Sequence, residues 1–215
     1  MIKAILFDLD GTLVDTLADI ATVMNGFLRS KSWPEHTVEA YRHMVGRGLL
    51  NLIRAALPPA HSSRAEELYN EVFTVYDAMG IGDSRPYPGA TDVLETLNAA
   101  GIPIAVVSNK PDAITRKMME GLFSGIRFAL VRGGLDGAAP KPDPSSALEA
   151  ARACGVAPAD CAFVGDSDVD MKTAVAAGML PVGAAWGFRG EAELRAAGAA
   201  IMMASITDLP GLLPA

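Results

Sequence analysis

The chain has 215 residues, 50% hydrophobic and 20% charged, enough to bury a core without disulfides as one compact unit or one domain with an insertion. A formal charge of -7, with 18 Lys and Arg scattered along the chain, argues against a nucleic-acid or anionic-membrane surface. Cys154 and Cys161 match no metal-ligand spacing, and no apolar run suits a signal peptide or a membrane span, so a reduced, cytoplasmic protein without membrane or nucleic-acid partners is expected.

Residues 2–7 open the chain as an apolar run that meets Asp8 and Asp10 at once, the pattern of a strand buried on both faces. Between Asp15 and Arg85 no convincing strand is found. Apolar residues instead recur at helical spacing over 17–28, 49–57 and 65–79, and the stretch reads as a four-helix insertion. Tyr87-Pro88-Gly89 marks the return, because Pro fixes its own backbone and disfavours helix just before it.

Strand-length apolar runs at 102–107, 126–131, 161–164, 180–184 and 200–203 then alternate with amphipathic stretches at about 89–100, 112–122, 145–155 and 167–177. Gly101, Gly155 and Gly178 stand where helix C-caps belong. Parallel strands need helical crossovers that cover both sheet faces. The alternation therefore predicts an α/β fold: a doubly wound parallel sheet with a Rossmann-like core of residues 1–14 and 87–215, and an α-helical domain of residues 15–86 inserted after the first strand.

Open parallel sheets bind ligands at the carboxyl ends of their strands. Four such ends are polar here: Asp8-Leu9-Asp10-Gly11-Thr12, Ser108-Asn109, Lys141-Pro142 ahead of a helix, and Gly165-Asp166-Ser167-Asp168-Val169-Asp170. Carboxylates gathered at one edge repel one another, by roughly 4 kcal/mol for a pair about 4 Å apart at an effective dielectric of ~20, so a cation is required. The candidate ligands are hard oxygens without His or Cys, which favours Mg²⁺ over zinc or copper.

These segments, with Lys141-Pro142-Asp143-Pro144 in full, resemble the four ordered motifs of the haloacid dehalogenase-like superfamily over the whole chain, and the helical insertion resembles that family's cap. Ser108-Asn109-Lys110-Pro111 and Trp186-Gly187-Phe188-Arg189-Gly190 resemble its phosphoglycolate phosphatase branch. The resemblance implies that Asp8 is the nucleophile, Asp10 the acid and base, and Lys141 the cation offsetting nucleophile and phosphate. Ser108 and the Asn109 backbone are implied as donors to phosphoryl oxygens, and Gly11, which lets the chain turn away tightly, joins Thr12 in the phosphate-binding set. Mg²⁺ is implied at the Asp8 carboxylate, the Asp10 backbone carbonyl and Asp166, with Asp170 a further ligand or an orienter of metal waters. Gly46-Arg47-Gly48 resembles the loop that this family lowers over its active site, making Arg47 a candidate contact for a substrate carboxylate. Asp15 and Asp168 read as helix caps.

The expected activity is Mg²⁺-dependent hydrolysis of a small phosphate monoester, 2-phosphoglycolate foremost, through an aspartyl phosphate. Two alternatives stay open: a sugar-phosphate mutase of β-phosphoglucomutase type, which shares Asp8, Asp10 and the cap, and a non-catalytic protein that binds a phosphorylated metabolite. A dehalogenase is disfavoured because those relatives need no metal and generally lack the acidic pair. A phosphonate hydrolase would need a cap lysine, and Lys31, the only one there, does not lie in that motif. The sequence assigns no oligomeric state.

Overall fold

The computed structural model describes residues 1–212. The chain begins with β1 (Ala4–Phe7), whose four residues are fully buried. Burying Ile5, Leu6 and Phe7 is worth roughly 1.5–3 kcal/mol apiece, which makes this short run the centre of the molecule. A two-residue strand β2 (Val14–Asp15) follows, then four helices, α1 (Leu17–Ser30), α2 (Val38–Tyr41), α3 (Leu49–Ala56) and α4 (Ala65–Met79). The second is a single turn, started by Thr37, whose side chain accepts from the Ala40 amide. A two-residue β3 (Arg85–Pro86) closes the excursion.

The rest alternates helix and strand: α5 (Ala90–Ala99), β4 (Ile104–Pro111), α6 (Asp112–Leu122), β5 (Leu130–Gly134), α7 (Ser145–Cys154), β6 (Cys161–Gly165), α8 (Asp168–Ala177), β7 (Leu180–Ala184), α9 (Glu191–Ala196) and β8 (Ile201–Met203). Six strands form one parallel sheet in the order β5-β4-β1-β6-β7-β8. The period-2 alternation of side chains divides the core in two. Ile5, Phe7, Ile104, Val106, Ala162 and Val164 join the cluster that holds α5, α6 and the helical insertion. Ala4, Leu6, Ala105, Val107, Cys161 and Phe163 face the small side chains of α7 and α8. This is the doubly wound α/β arrangement expected, and its order reverses at β1, so the ligand crevice lies at the carboxyl end of β1 and its two neighbours.

Two strands depart from expectation. The apolar run 126–131 is mostly not strand: the Ile126 amide bonds to the Phe123 carbonyl in a turn, Phe128 packs edge-on against Phe123, and the strand runs from Leu130 to Gly134. Burial, which apolar composition reports, does not require an extended backbone. The run 102–107 instead continues to Pro111, with a register shift after Val107, so Ser108 and Asn109 lie within β4 rather than beyond it.

The insertion also holds short extended pieces that no periodicity could reveal, since β2 and β3 pair antiparallel over two residues each, about seventy apart in sequence. A brace stands beside this ribbon. Asp19 of α1, nearly buried, accepts hydrogen bonds from the Asp83 amide at 3.0 Å, the Ser84 amide at 2.7 Å and the Ser84 hydroxyl. Gly82 permits the approach: its φ is +61°, and a Cβ there would stand 2.6 Å from an Asp19 oxygen. No helix among the described residues is long and apolar enough to cross a membrane.

Candidate active site

Asp8 is placed by the sheet itself, because its amide donates to the Val164 carbonyl at 2.9 Å as β1 ends beside β6. The chain then turns sharply at Gly11, whose φ is +81° and where a Cβ would stand 2.3 Å from Asp166. Only glycine lets the loop pass this close to the carboxylate. Thr12, fully buried, directs its hydroxyl to Asp166 at 3.3 Å, so its side chain braces that aspartate. The other Asp166 oxygen accepts from the Phe188 amide at 2.7 Å, and the Trp186 indole donates to the Thr12 carbonyl, tying the 186–190 loop to the turn after β1.

Asp170 owes its position to α8. Ser167 is the N-cap, and with Asp170 it forms a reciprocal capping box that occupies one Asp170 oxygen. The other accepts from Lys141 Nζ at 2.6 Å. Asp168 lies in the first turn of the same helix and pairs with Arg47 and Lys172. Asp15 accepts from the Leu17 amide at 3.3 Å as α1 begins.

The Asp8, Asp166 and Asp170 carboxylates each bring an oxygen within 4.8 Å of the others, all buried. Asp8 Oδ1 is buried and pairs with Lys141 Nζ at 2.9 Å. Burial raises the Asp8 carboxyl to about 7, with the Asp170 charge adding and Lys141 opposing. Burial likewise pushes Asp166 well above the usual range, helped by Asp170 and Asp8. Burial alone would lower Lys141, but Asp170 and Asp8 outweigh it and hold its ammonium above the ordinary value. Three crowded, buried carboxylates against one ammonium are a donor set of hard oxygens that fits a divalent cation such as Mg²⁺.

Asn109 joins three segments. Its Oδ1 accepts from the Lys141 amide at 2.8 Å, and its Nδ2 donates to the Lys141 and Gly46 carbonyls, each at 3.0 Å. Ser108 Oγ accepts from the Lys110 amide at 3.2 Å, beside Asp8 and Asp10 on the same cavity.

Asp10 has partners that the sequence did not single out. Lys110 Nζ lies 2.9 Å from its Oδ1 and 3.3 Å from its Oδ2, Thr16 donates to Oδ1 at 2.7 Å, and Lys110 also donates to the Tyr76 hydroxyl of α4. Burial would lower Lys110, but Asp10 and Tyr76 hold it above its ordinary value; burial pushes the Tyr76 phenol up to about 12. Lys110 had a visible signal in its place right after Asn109. Tyr76 had none, since with Leu68 and Val72 it continues the buried stripe of α4.

Asp8, Asp10, Ser108, Asn109 and Lys110 meet Tyr76, Ile20, Val45, Leu49 and Leu52 around a cavity of about 30 Å³. That is room for little more than a water or two. A wider cleft of about 280 Å³ adjoins it past Ser108, Asn109 and Lys141, with Arg47 and Arg132 on its walls. The guanidinium of Arg47 is not brought to Asp8 or Asp10: its side chain is 53% exposed and pairs with Asp168 at 2.9 Å.

A family model described as haloacid dehalogenase-like hydrolase matches residues 2–178. A phosphoglycolate phosphatase from Xylella fastidiosa is 35% identical over 187 residues, covering 87% of this chain and 82% of the relative. One from Pseudomonas putida is 32% identical over 217 residues, covering 99% of this chain and 79% of the relative. The crystal structure of a candidate phosphoglycolate phosphatase from Lactobacillus delbrueckii subsp. bulgaricus superposes with a TM-score of 0.87 at 28% identity, over 98% of this chain and 97% of that one.

Proposed function

This chain belongs to the haloacid dehalogenase-like hydrolase family, and we propose that it is a Mg²⁺-dependent phosphatase that hydrolyses a small phosphate monoester, 2-phosphoglycolate foremost, through an aspartyl phosphate. The observation that carries this reading is the buried group of Asp8, Asp166, Asp170 and Lys141 at the end of β1. The relatives named as phosphoglycolate phosphatases support the substrate.

In this reading Asp8 attacks phosphorus in line, the bond from phosphorus to the ester oxygen breaks, and Asp10 gives its proton to the departing alkoxide. Asp10 then takes a proton from the water that attacks the aspartyl phosphate, releasing phosphate and restoring Asp8. Lys141 offsets the repulsion between Asp8 and the phosphate dianion. The Ser108 hydroxyl and the Asn109 amide donate to phosphoryl oxygens, whose charge is spread in the transition state, and Gly11 and Thr12 shape the loop beneath them. The Asp8 and Asp166 carboxylates and the Asp10 carbonyl would hold Mg²⁺, with Asp170 fixing Lys141 and orienting metal waters. Bound there, the metal supplies charge neutralisation between nucleophile and phosphate.

Residues 15–86 serve as the cap over a core of residues 1–14 and 87–215, and a cytoplasmic setting is in keeping with two free thiols, Cys154 and Cys161. Lys31 pairs with Glu71 at 2.7 Å on the insertion, which lends no support to Schiff-base chemistry.

The test is phosphate release from 2-phosphoglycolate, sugar phosphates, nucleoside monophosphates, pyrophosphate and an aryl phosphate, with Mg²⁺ and with EDTA. Metal-dependent release with preference for 2-phosphoglycolate is expected, and Asp8→Asn should lose it by roughly a thousandfold or more while staying folded. Full metal-dependent activity in Asp8→Asn would sink the mechanism. Conversion of glucose 1-phosphate to its 6-phosphate without net release would move the mutase reading ahead.

A further inference from the structure

We propose that Lys110 is a specificity residue: it receives an anionic group carried on the carbon next to the ester oxygen, a carboxylate above all, and so selects phosphate esters of short hydroxy acids. The inference rests on the phosphatase reading and assigns the part of that site which faces the leaving group.

Asp10, as the acid, faces the ester oxygen, and Asp10 lines the small cavity and not the wider cleft. The leaving group therefore occupies the small cavity. Its walls from the insertion are Gly46, Gly48, Tyr76 and the apolar Ile20, Val45, Leu49 and Leu52, and its volume of about 30 Å³ admits only the smallest leaving group. Lys110 is the one cationic side chain among its lining residues. Lys141 is engaged by Asp8 and Asp170, and Arg47 by Asp168.

The donors of Lys110 can be counted. An ammonium has three N–H groups, and acceptors for all of them are at hand: the Tyr76 hydroxyl, Asp10 Oδ1 and Asp10 Oδ2. When Asp10 turns an oxygen to the ester, one N–H loses its acceptor in a cavity with 2% exposure of the lysine side chain. A buried donor left unpaired is costly. A carboxylate one carbon beyond the ester oxygen lies next to Asp10's own partner and takes that N–H; a hydroxymethyl group in the same place offers an acceptor without the charge. The ammonium thus favours the acid ester at the moment Asp10 engages the leaving oxygen.

The experiment compares kcat/KM for 2-phosphoglycolate and for 2-hydroxyethyl phosphate, two esters of equal chain length and similar leaving oxygen, in wild type, Lys110→Met and Lys110→Gln with Mg²⁺. Wild type is expected to prefer 2-phosphoglycolate by roughly a hundredfold, and each variant to lose activity on both while losing roughly tenfold more on the acid ester. Equal losses on both esters would reduce Lys110 to a positioning residue for Asp10 and overturn the proposal. A wild type that hydrolyses both esters without preference also overturns it, even if neither variant folds, and leaves the phosphatase reading standing. A wild type that hydrolyses no ester with Mg²⁺ overturns both.

Discussion

Burial and the neighbouring Asp170 charge push the Asp8 carboxyl up to about 7 against the pull of Lys141, and the same two causes raise Asp166. Between the ordinary carboxylate range and about 7, the metal-free fold holds a proton on Asp8 that the unfolded chain has lost. Stability of the metal-free protein from these groups therefore declines as pH rises through that window, and Mg²⁺ held by these carboxylates would need their ionised forms and bind with release of protons. The increase in Tm produced by saturating Mg²⁺ should accordingly be larger at pH 8 than at pH 5, as thermal melts with Mg²⁺ or EDTA would record; an equal increase at both would exclude these carboxylates as its ligands. The placement of single residues was readable where a polar segment follows an apolar run. Asp8, Asp10, Ser108, Asn109, Asp166 and Asp170 come directly after or within reach of an apolar run, and the structure gathers them with Lys141 at one sheet edge. Arg47 was drawn from the resemblance of Gly46-Arg47-Gly48 to a family loop, and its ion pair with Asp168 depends on where α8 lies, which no local pattern encodes. Tyr76 reaches the site because α4 packs beside α6 and brings its hydroxyl to Lys110 of β4, a long-range fact absent from its own segment.

At the scale of elements, the strands that proved readable are those buried on both faces, such as β1, β6 and β7, where every position is apolar or small. The edge strand β5 is only partly buried and ends in two glycines, so its sequence carries little strand signal. The two-residue ribbon of β2 and β3 carries none, and its geometry depends on the Asp19 brace. Asp19→Ala would remove the acceptor of two amides and a hydroxyl in a nearly buried place, costing about 2–3 kcal/mol. The expected result is a Tm lower by roughly 5–10 °C in a circular-dichroism melt, with Asp19→Asn recovering part of it. An unchanged Tm in the alanine variant would show that the ribbon holds without the brace.

Across the whole molecule, the helical insertion packs on the sheet edge where Asp8 lies at 5% exposure, and in the phosphatase reading an ester enters when the two separate. Arg189, from the loop after β7, is one polar tie across that seam, beside Arg47–Asp168 and Asn109–Gly46: it meets the His43 ring at 2.7 Å and donates to the His43 and Val45 carbonyls at 3.1 and 3.2 Å. Arg189→Ala should weaken the shut form by about 1.5 kcal/mol and raise KM for a short ester roughly tenfold, with a smaller effect on kcat. A KM that does not move would place the hold on closure elsewhere, in the remaining polar ties such as Arg47–Asp168 or in the apolar contacts of Leu49 and Leu52. The alternation of strands and helices made the layered sheet foreseeable, whereas the tightness of this seam arises from contacts between segments some 145 residues apart. The position of β1 also governs how the protein is born. It is made before its sheet partners, residues 104–106 and 161–164. At about 5–20 residues per second, the first partner follows roughly 5–20 s later, and the second later still. Through that interval the nascent chain carries Ala4, Ile5, Leu6 and Phe7 unpaired, a ready ligand for a chaperone, while the helices of the insertion, built on local contacts, are free to form.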